Sequence, residues 1–129
     1  MIVIDASVII ALLDANDAHH AQAAEVLEDL RDPLAASALT IAEVLVGPAS
    51  AGRLTAARSA LATLEIAAVP IDADAAPRLA ELRVQTGLTL PDCSVLLAAE
   101  IAAASALLSF DDRLRRVATE FGFGDEPAR

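Results

Sequence analysis

The chain has 129 residues and a formal net charge of −10, enough for one domain with one core and too acidic for broad electrostatic capture of nucleic acid. Hydrophobic residues make up 56%, which excludes a disordered chain. Trp and Tyr are absent and Phe occurs only three times, which disfavours an aromatic platform for stacking bases.

The elements alternate along the chain. Ile2-Val3-Ile4 is a short apolar run that stops at Asp5 and reads as a buried strand. Ser7 to Leu13 reads as a short helix, and His19 to Leu30 as a second, with Ala23, Val26, Leu27 and Leu30 on one face. Pro33 ends it, and Leu34-Ala35-Ala36 is the next strand. Ala38 to Val46 is helical, closed by Gly47-Pro48. Leu54 to Leu64 is helical, Ile66 to Val69 a strand, and Ala75 to Thr86 a helix ending at Gly87. Asp92 to Ala104 is a strongly apolar helix, Ala106-Leu107-Leu108 a strand, and Asp111 to Glu120 a polar helix. Phe121 to Phe123 reads as a last short strand. One domain over residues 1–123 is expected, followed by a frayed tail, 124–129. Short buried strands separated by helices imply parallel β with crossover helices, an α/β fold.

Cys93 stands alone, so no intramolecular disulfide is possible and a reducing compartment is compatible. Met1 to Ile4 lacks the charged start of a signal peptide. Val95 to Leu108, interrupted by Glu100 and Ser105, is too short and polar to span a bilayer. The expectation is a soluble, cytoplasmic protein without membrane contact.

Open parallel sheets bind ligands beyond the carboxyl ends of their strands. Asp5 directly follows the first strand. Glu43 lies in the helix after the second. Asp111 follows Leu108 by three residues, and Asp92 opens the helix leading into that strand. All four carboxylates can therefore converge at one rim. Each also has a plain structural reading. Asp5 can cap the helix near Ser7, Glu43 completes a capping box from Thr40, and Asp92 and Asp111 complement helix dipoles. Capping does not explain why Asp5 and Glu43 keep core-like company, in Ile2-Val3-Ile4-Asp5 and Ile41-Ala42-Glu43-Val44-Leu45. Buried carboxylates are costly without a compensating cation or donors. Oxygen ligands in this number suit Mg²⁺ or Mn²⁺, and no His or Cys cluster has zinc spacing. The His19-His20 pair is expected on a helix surface.

These segments resemble those of PIN-domain ribonucleases, specifically the VapC-type toxins of bacterial toxin–antitoxin pairs. The resemblance lies in Ile2-Val3-Ile4-Asp5-Ala6-Ser7, Thr40-Ile41-Ala42-Glu43-Val44-Leu45, Leu90-Pro91-Asp92-Cys93 and Leu107-Leu108-Ser109-Phe110-Asp111, in that order and spacing. It implies a three-layer α/β/α fold with a mostly parallel central sheet of four to five short strands. It also implies a metal-dependent endoribonuclease in which Asp5, Glu43, Asp92 and Asp111 are catalytic and bind Mg²⁺ or Mn²⁺, leaving a 5′-phosphate. Asp112 adjoins Asp111 and shares its claim to the fourth place. Ser7 falls at a position where the family keeps a hydroxyl. Ser109 stands where Thr is common, and Cys93, where a small residue is common, is taken as packing. The implied partners are an RNA substrate, a cognate VapB-type antitoxin and a second copy of the chain. The antitoxin would insert an Arg into the acidic pocket.

Arg113, Arg115 and Arg116 either grip phosphates or balance Asp111 and Asp112. Apolar positions around Ala11-Leu12-Leu13 and along Leu54 to Leu64 serve as core or as partner surface. Three rival functions compete with this reading. A haloacid dehalogenase-type phosphatase and a receiver domain both need a Lys near the phosphate, and all nine basic residues here are Arg. A PIN fold without activity, working only through protein partners, is opposed by the intact acidic set.

Overall fold

The computed structural model describes residues 1–125; the end of the expected tail, residues 126–129, lies outside the described residues. Four strands, β1 (Ile2–Ile4), β2 (Leu34–Ser37), β3 (Ala67–Val69) and β4 (Ala106–Leu108), form one sheet in the order β3-β2-β1-β4. Every pairing is parallel. Among the described residues, seven α-helices cover the sheet: α1 (Ala6–Leu13), α2 (His20–Glu28), α3 (Ala38–Ser50), α4 (Leu54–Thr63), α5 (Ala76–Thr86), α6 (Leu90–Ile101) and α7 (Asp112–Glu120).

Strand alternation explains the layering. Val3, Ala35, Val69 and Leu107 face a core made with α5, α6 and α7. Ile2, Ile4, Leu34, Ala36, Ala106 and Leu108 face a second core with α1 and α3. Side chains two residues apart share a face, so three-residue strands can build a floor with two apolar sides. The expected three-layer α/β/α architecture is what forms.

Helix α6 is the best buried of the helices, with every residue from Cys93 to Ala99 inside. Cys93 packs as expected. At the other extreme, α4 buries no residue. Of the two stretches held open between core and surface, Ala11 is core, whereas Leu13, Leu54 and their neighbour Ile10 are exposed.

Three boundaries depart from the sequence reading. Helix α3 runs through Gly47-Pro48 to Ser50, and the chain turns at Gly52 with φ +71. Proline removes one N–H near the last turn, which shortens the hydrogen-bond ladder without ending it. Helix α6 starts at Leu90, under a Thr89 cap, rather than at Asp92, and stops at Ile101. Finally, Phe121 to Phe123 is not a strand. These residues close α7 in a Schellman cap: Phe123 N–H donates to Ala118 O (3.0 Å), Gly122 N–H to Thr119 O (3.0 Å), and Gly122 has φ +90. Phe121 and Phe123 pack on the core as the apolar contacts of that cap. The fifth strand shrinks to one parallel bridge, Ala106 to Gly124.

Candidate active site at the carboxyl edge of the sheet

Because all strands run the same way, their carboxyl ends share one edge. The strand order places β2 and β3 on one side of β1 and β4 on the other. The chain therefore reverses its direction of winding between β1 and β4, and a crevice opens there. Asp5 leaves β1 into that crevice, and Ser109, Phe110 and Asp111 leave β4.

Asp5 is buried, with 6% of its surface exposed. Ser7 Oγ donates to its Oδ1 at 2.6 Å, and Val8 N–H to the same oxygen at 3.2 Å. Ser109 Oγ donates to its Oδ2 at 2.5 Å. Asp5 N–H is held by Leu108 O at 3.1 Å. The two serines extend the lattice: Phe110 N–H donates to Ser7 Oγ (3.0 Å) and Asp111 N–H to Ser109 Oγ (2.9 Å). Burial pushes the Asp5 carboxyl up, and the bonds from Ser109, Ser7 and the backbone pull it back down without cancelling the rise.

The other three carboxylates come from helices. Asp92 sits in the first turn of α6, where its N–H donates to the Thr89 cap (3.4 Å). Asp111 caps α7, accepting from Leu114 N–H at 2.9 Å. Glu43 lies on α3. Burial raises Asp92, as do the charges of Asp111 and Asp5; Thr89 and Arg113 oppose them. Burial, Asp92 and Asp5 likewise raise Glu43. All four carboxylates therefore belong to one electrostatic cluster. Asp112 does not join it: its side chain is 99% exposed and pairs with Arg115 at 3.8 Å.

Capping and clustering coexist at Asp5 and Asp111, since one oxygen of each serves a helix start. At Glu43 the capping reading fails, because the cap of α3 is Ser37, whose Oγ accepts from Thr40 N–H at 2.9 Å. The core-like company expected for Glu43 is found in part: Val44 is buried in the second core and Ile41 packs against it, whereas Glu43 itself is exposed, as are the nearby Leu39 and Val46. Among the described residues, no three His, Cys, Asp or Glu side chains are already drawn into metal-ligating geometry. The donor set is nonetheless all carboxylate oxygen with no soft ligand, the type a hard divalent cation takes.

Sequence reasoning missed a buried polar brace beneath this rim. Ser37 Oγ lies 2.9 Å from both Thr40 Oγ1 and Ser94 Oγ, and Ser94 Oγ donates to Pro91 O at 2.6 Å. All three residues are buried. The brace locks the start of α3, which carries Glu43, to the start of α6, which carries Asp92. The available signal was a Ser inside the otherwise apolar helix Cys93–Ala99. His20 is held by a 2.7 Å bond to Ala11 O, and the exposed His19 stacks on Phe110 with centroids 4.3 Å apart.

Residues 2–120 match the family model of the PIN domain. The chain belongs to the PIN domain family. No curated protein matches the sequence. Among solved structures, this PIN domain is similar to the Mycobacterium tuberculosis toxin VapC20, described as cleaving the sarcin–ricin loop. The TM-score is 0.79 at 18% identity, covering 98% of this chain and 100% of that one. A toxin–antitoxin complex from Klebsiella pneumoniae has a TM-score of 0.71 at 27% identity over 86% of this chain and 87% of that one. FitAcB from Neisseria gonorrhoeae has a TM-score of 0.70 at 18% identity, over 98% and 97%. Among the described residues, no helix of this PIN domain is long and apolar enough to cross a membrane.

Proposed function

We propose that this PIN domain is a metal-dependent endoribonuclease and the toxin of a toxin–antitoxin pair, with Asp5, Glu43, Asp92 and Asp111 as the residues that hold Mg²⁺ or Mn²⁺. The observation that carries the reading is the electrostatic cluster at the switch point between β1 and β4. There, burial pushes the carboxyls of Asp5, Glu43 and Asp92 up, and neighbouring carboxylates raise Glu43 and Asp92 further. Groups perturbed in this way at a crevice mark functional sites, and a divalent cation is the counter-charge the cluster lacks. The toxins among the similar structures support the reaction class.

A bound cation would offset the carboxylate charge and polarise the scissile phosphodiester toward attack by water. The residues of the chain do the rest. Asp5, fixed by Ser7, Ser109 and Val8, is the rigid anchor of the site. Asp92 and Asp111 stand at two helix starts, where backbone N–H groups favour an anionic substrate. Glu43 is exposed and caps no helix, so it is free to orient the water as a base.

The partner surface fits the same reading. Ile10 and Leu13 on α1, Leu39 and Val46 on α3, and Leu54 on α4 are exposed apolar residues on helices packed side by side. An antitoxin segment or a second copy would cover them. The direct test is incubation of the purified protein with RNA in Mg²⁺ or Mn²⁺. Cleavage that stops on chelation is expected. No cleavage, or cleavage indifferent to chelation, overturns the reading.

A further inference from the structure

In a chain of net charge −10, two guanidinium groups converge on one atom. Arg83 Nη1 donates to Gly87 O at 2.7 Å, and Arg113 Nη2 donates to the same oxygen at 3.2 Å. Both side chains are exposed. Among the described residues neither makes an ion pair, while Arg78 is held by Glu100 and Glu81, and Arg115 by Asp112 and Asp125. Two like charges beside one carbonyl repel each other, and a single neutral oxygen does not compensate both. The arrangement has an unmet demand for an anion.

Its place in the fold says which anion. Gly87 ends α5, and Thr89, two residues on, caps α6. Arg113 lies in the first turn of α7, next to the capping Asp111. The pair therefore sits at the meeting point of α5, α6 and α7, beside Asp92 and Asp111. Arg113 is the one cation whose charge acts on Asp92. The turn is also built around the Arg: a Cβ at Gly87 would lie 3.1 Å from Arg113 Nη2, at a residue with φ +72.

We propose that Arg83 and Arg113 form a phosphate-binding site for the RNA backbone, gripping a phosphate next to the scissile one. The inference rests on the nuclease reading above. Guanidinium forks match phosphate oxygens in bidentate geometry, and both helix starts nearby add backbone donors. The site resolves how an acidic protein holds a polyanion: locally, with two cations at the edge of the carboxylate cluster, rather than through net charge. It also divides the arginines of α7 by role, with Arg115 balancing acids and Arg113 facing the substrate.

The test is binding of a short 5′-labelled single-stranded RNA, in chelator, across a salt series, with wild-type cleavage in Mg²⁺ run in parallel. For single strands, log affinity falls with log salt by about 0.7 per phosphate neutralised. The double variant Arg83→Gln/Arg113→Gln is expected to flatten that slope by about 0.7, each single Gln variant by a part of that, and the Lys variants to retain it. Unchanged slopes in folded Gln variants, with wild-type cleavage intact, overturn the arginine pair alone. A wild type that neither binds nor cuts RNA overturns the nuclease reading as well. Phenylglyoxal labelling of the unmutated protein checks the site without variants: RNA should protect Arg83 and Arg113, and labelling of both regardless of RNA contradicts the proposal.

Discussion

Ser109 donates its hydroxyl hydrogen to the buried Asp5 carboxylate at 2.5 Å, across 104 residues of sequence and one strand pairing. The bond closes the crevice floor between β1 and β4. Removing it leaves a buried charge short of a donor, which costs about 1–3 kcal/mol. Ser109→Ala is therefore expected to lower unfolding free energy by that amount in urea titration at neutral pH, and Ser109→Thr by much less. Equal stability of Ser109→Ala and the wild type would show that the bond contributes nothing.

The carboxylate cluster makes the metal-free protein pH-sensitive. Asp5, Glu43 and Asp92 all have carboxyls raised by folding. A raised acid binds its proton more tightly when folded. Its contribution is therefore present below the ordinary carboxylate pKa and lost as pH rises through the folded value. Asp92→Asn removes one such group. Its Tm relative to wild type is expected to be higher at neutral pH than near pH 4, in chelator, by calorimetry. A Tm difference that does not change with pH contradicts the coupling.

Helix α6 ends in a Schellman cap whose left-handed residue is Ala103, at φ +48. Ala104 N–H donates to Ala99 O at 2.9 Å and Ala103 N–H to Glu100 O at 3.2 Å. That conformation suits Gly and strains a residue with a Cβ. Ala103→Gly is expected to stabilise the fold by about 0.5–1 kcal/mol after the entropy cost of Gly, read as a higher urea midpoint.

The buried brace is expected to be costlier to break. Ser37→Ala removes the cap of α3, takes away the side-chain partner of Thr40 and leaves Ser94 bonded to Pro91 O alone, at a cost of about 1–3 kcal/mol. A chemical denaturation midpoint equal to wild type would show the brace to be dispensable.

How much of this was legible in the sequence depended on what each residue was competing with. Strands β1, β2 and β4 were readable because three buried apolar residues in a row have few other uses. Asp5 was readable because nothing but a site or a cap ends such a run with a charge, and here it caps α1 while lying buried at the carboxyl edge of the sheet. The end of α3 was not, because Gly47-Pro48 looks like a stop while the left-handed turn that ends the helix is made at Gly52. The final apolar triplet misled for a related reason: Phe121 and Phe123 are apolar to seal a helix cap, not to line a sheet. The exposure of Glu43 itself was not legible, because its neighbour Val44 enters the core from another side of the same helix while Glu43 faces out. Asp112 was separated from Asp111 only by geometry, as adjacent carboxylates at a helix start point in different directions. The Ser37–Ser94 contact joins residues 57 apart, a pairing no local pattern encodes.

Titration of Mn²⁺ into wild type and into Asp92→Asn, followed by RNA cleavage with the same samples, tests the central claim most directly. Metal-site carboxylates predict saturable binding and cleavage by the wild type, with both lost or sharply reduced in a folded Asp92→Asn. Undiminished binding and cutting by Asp92→Asn would contradict it.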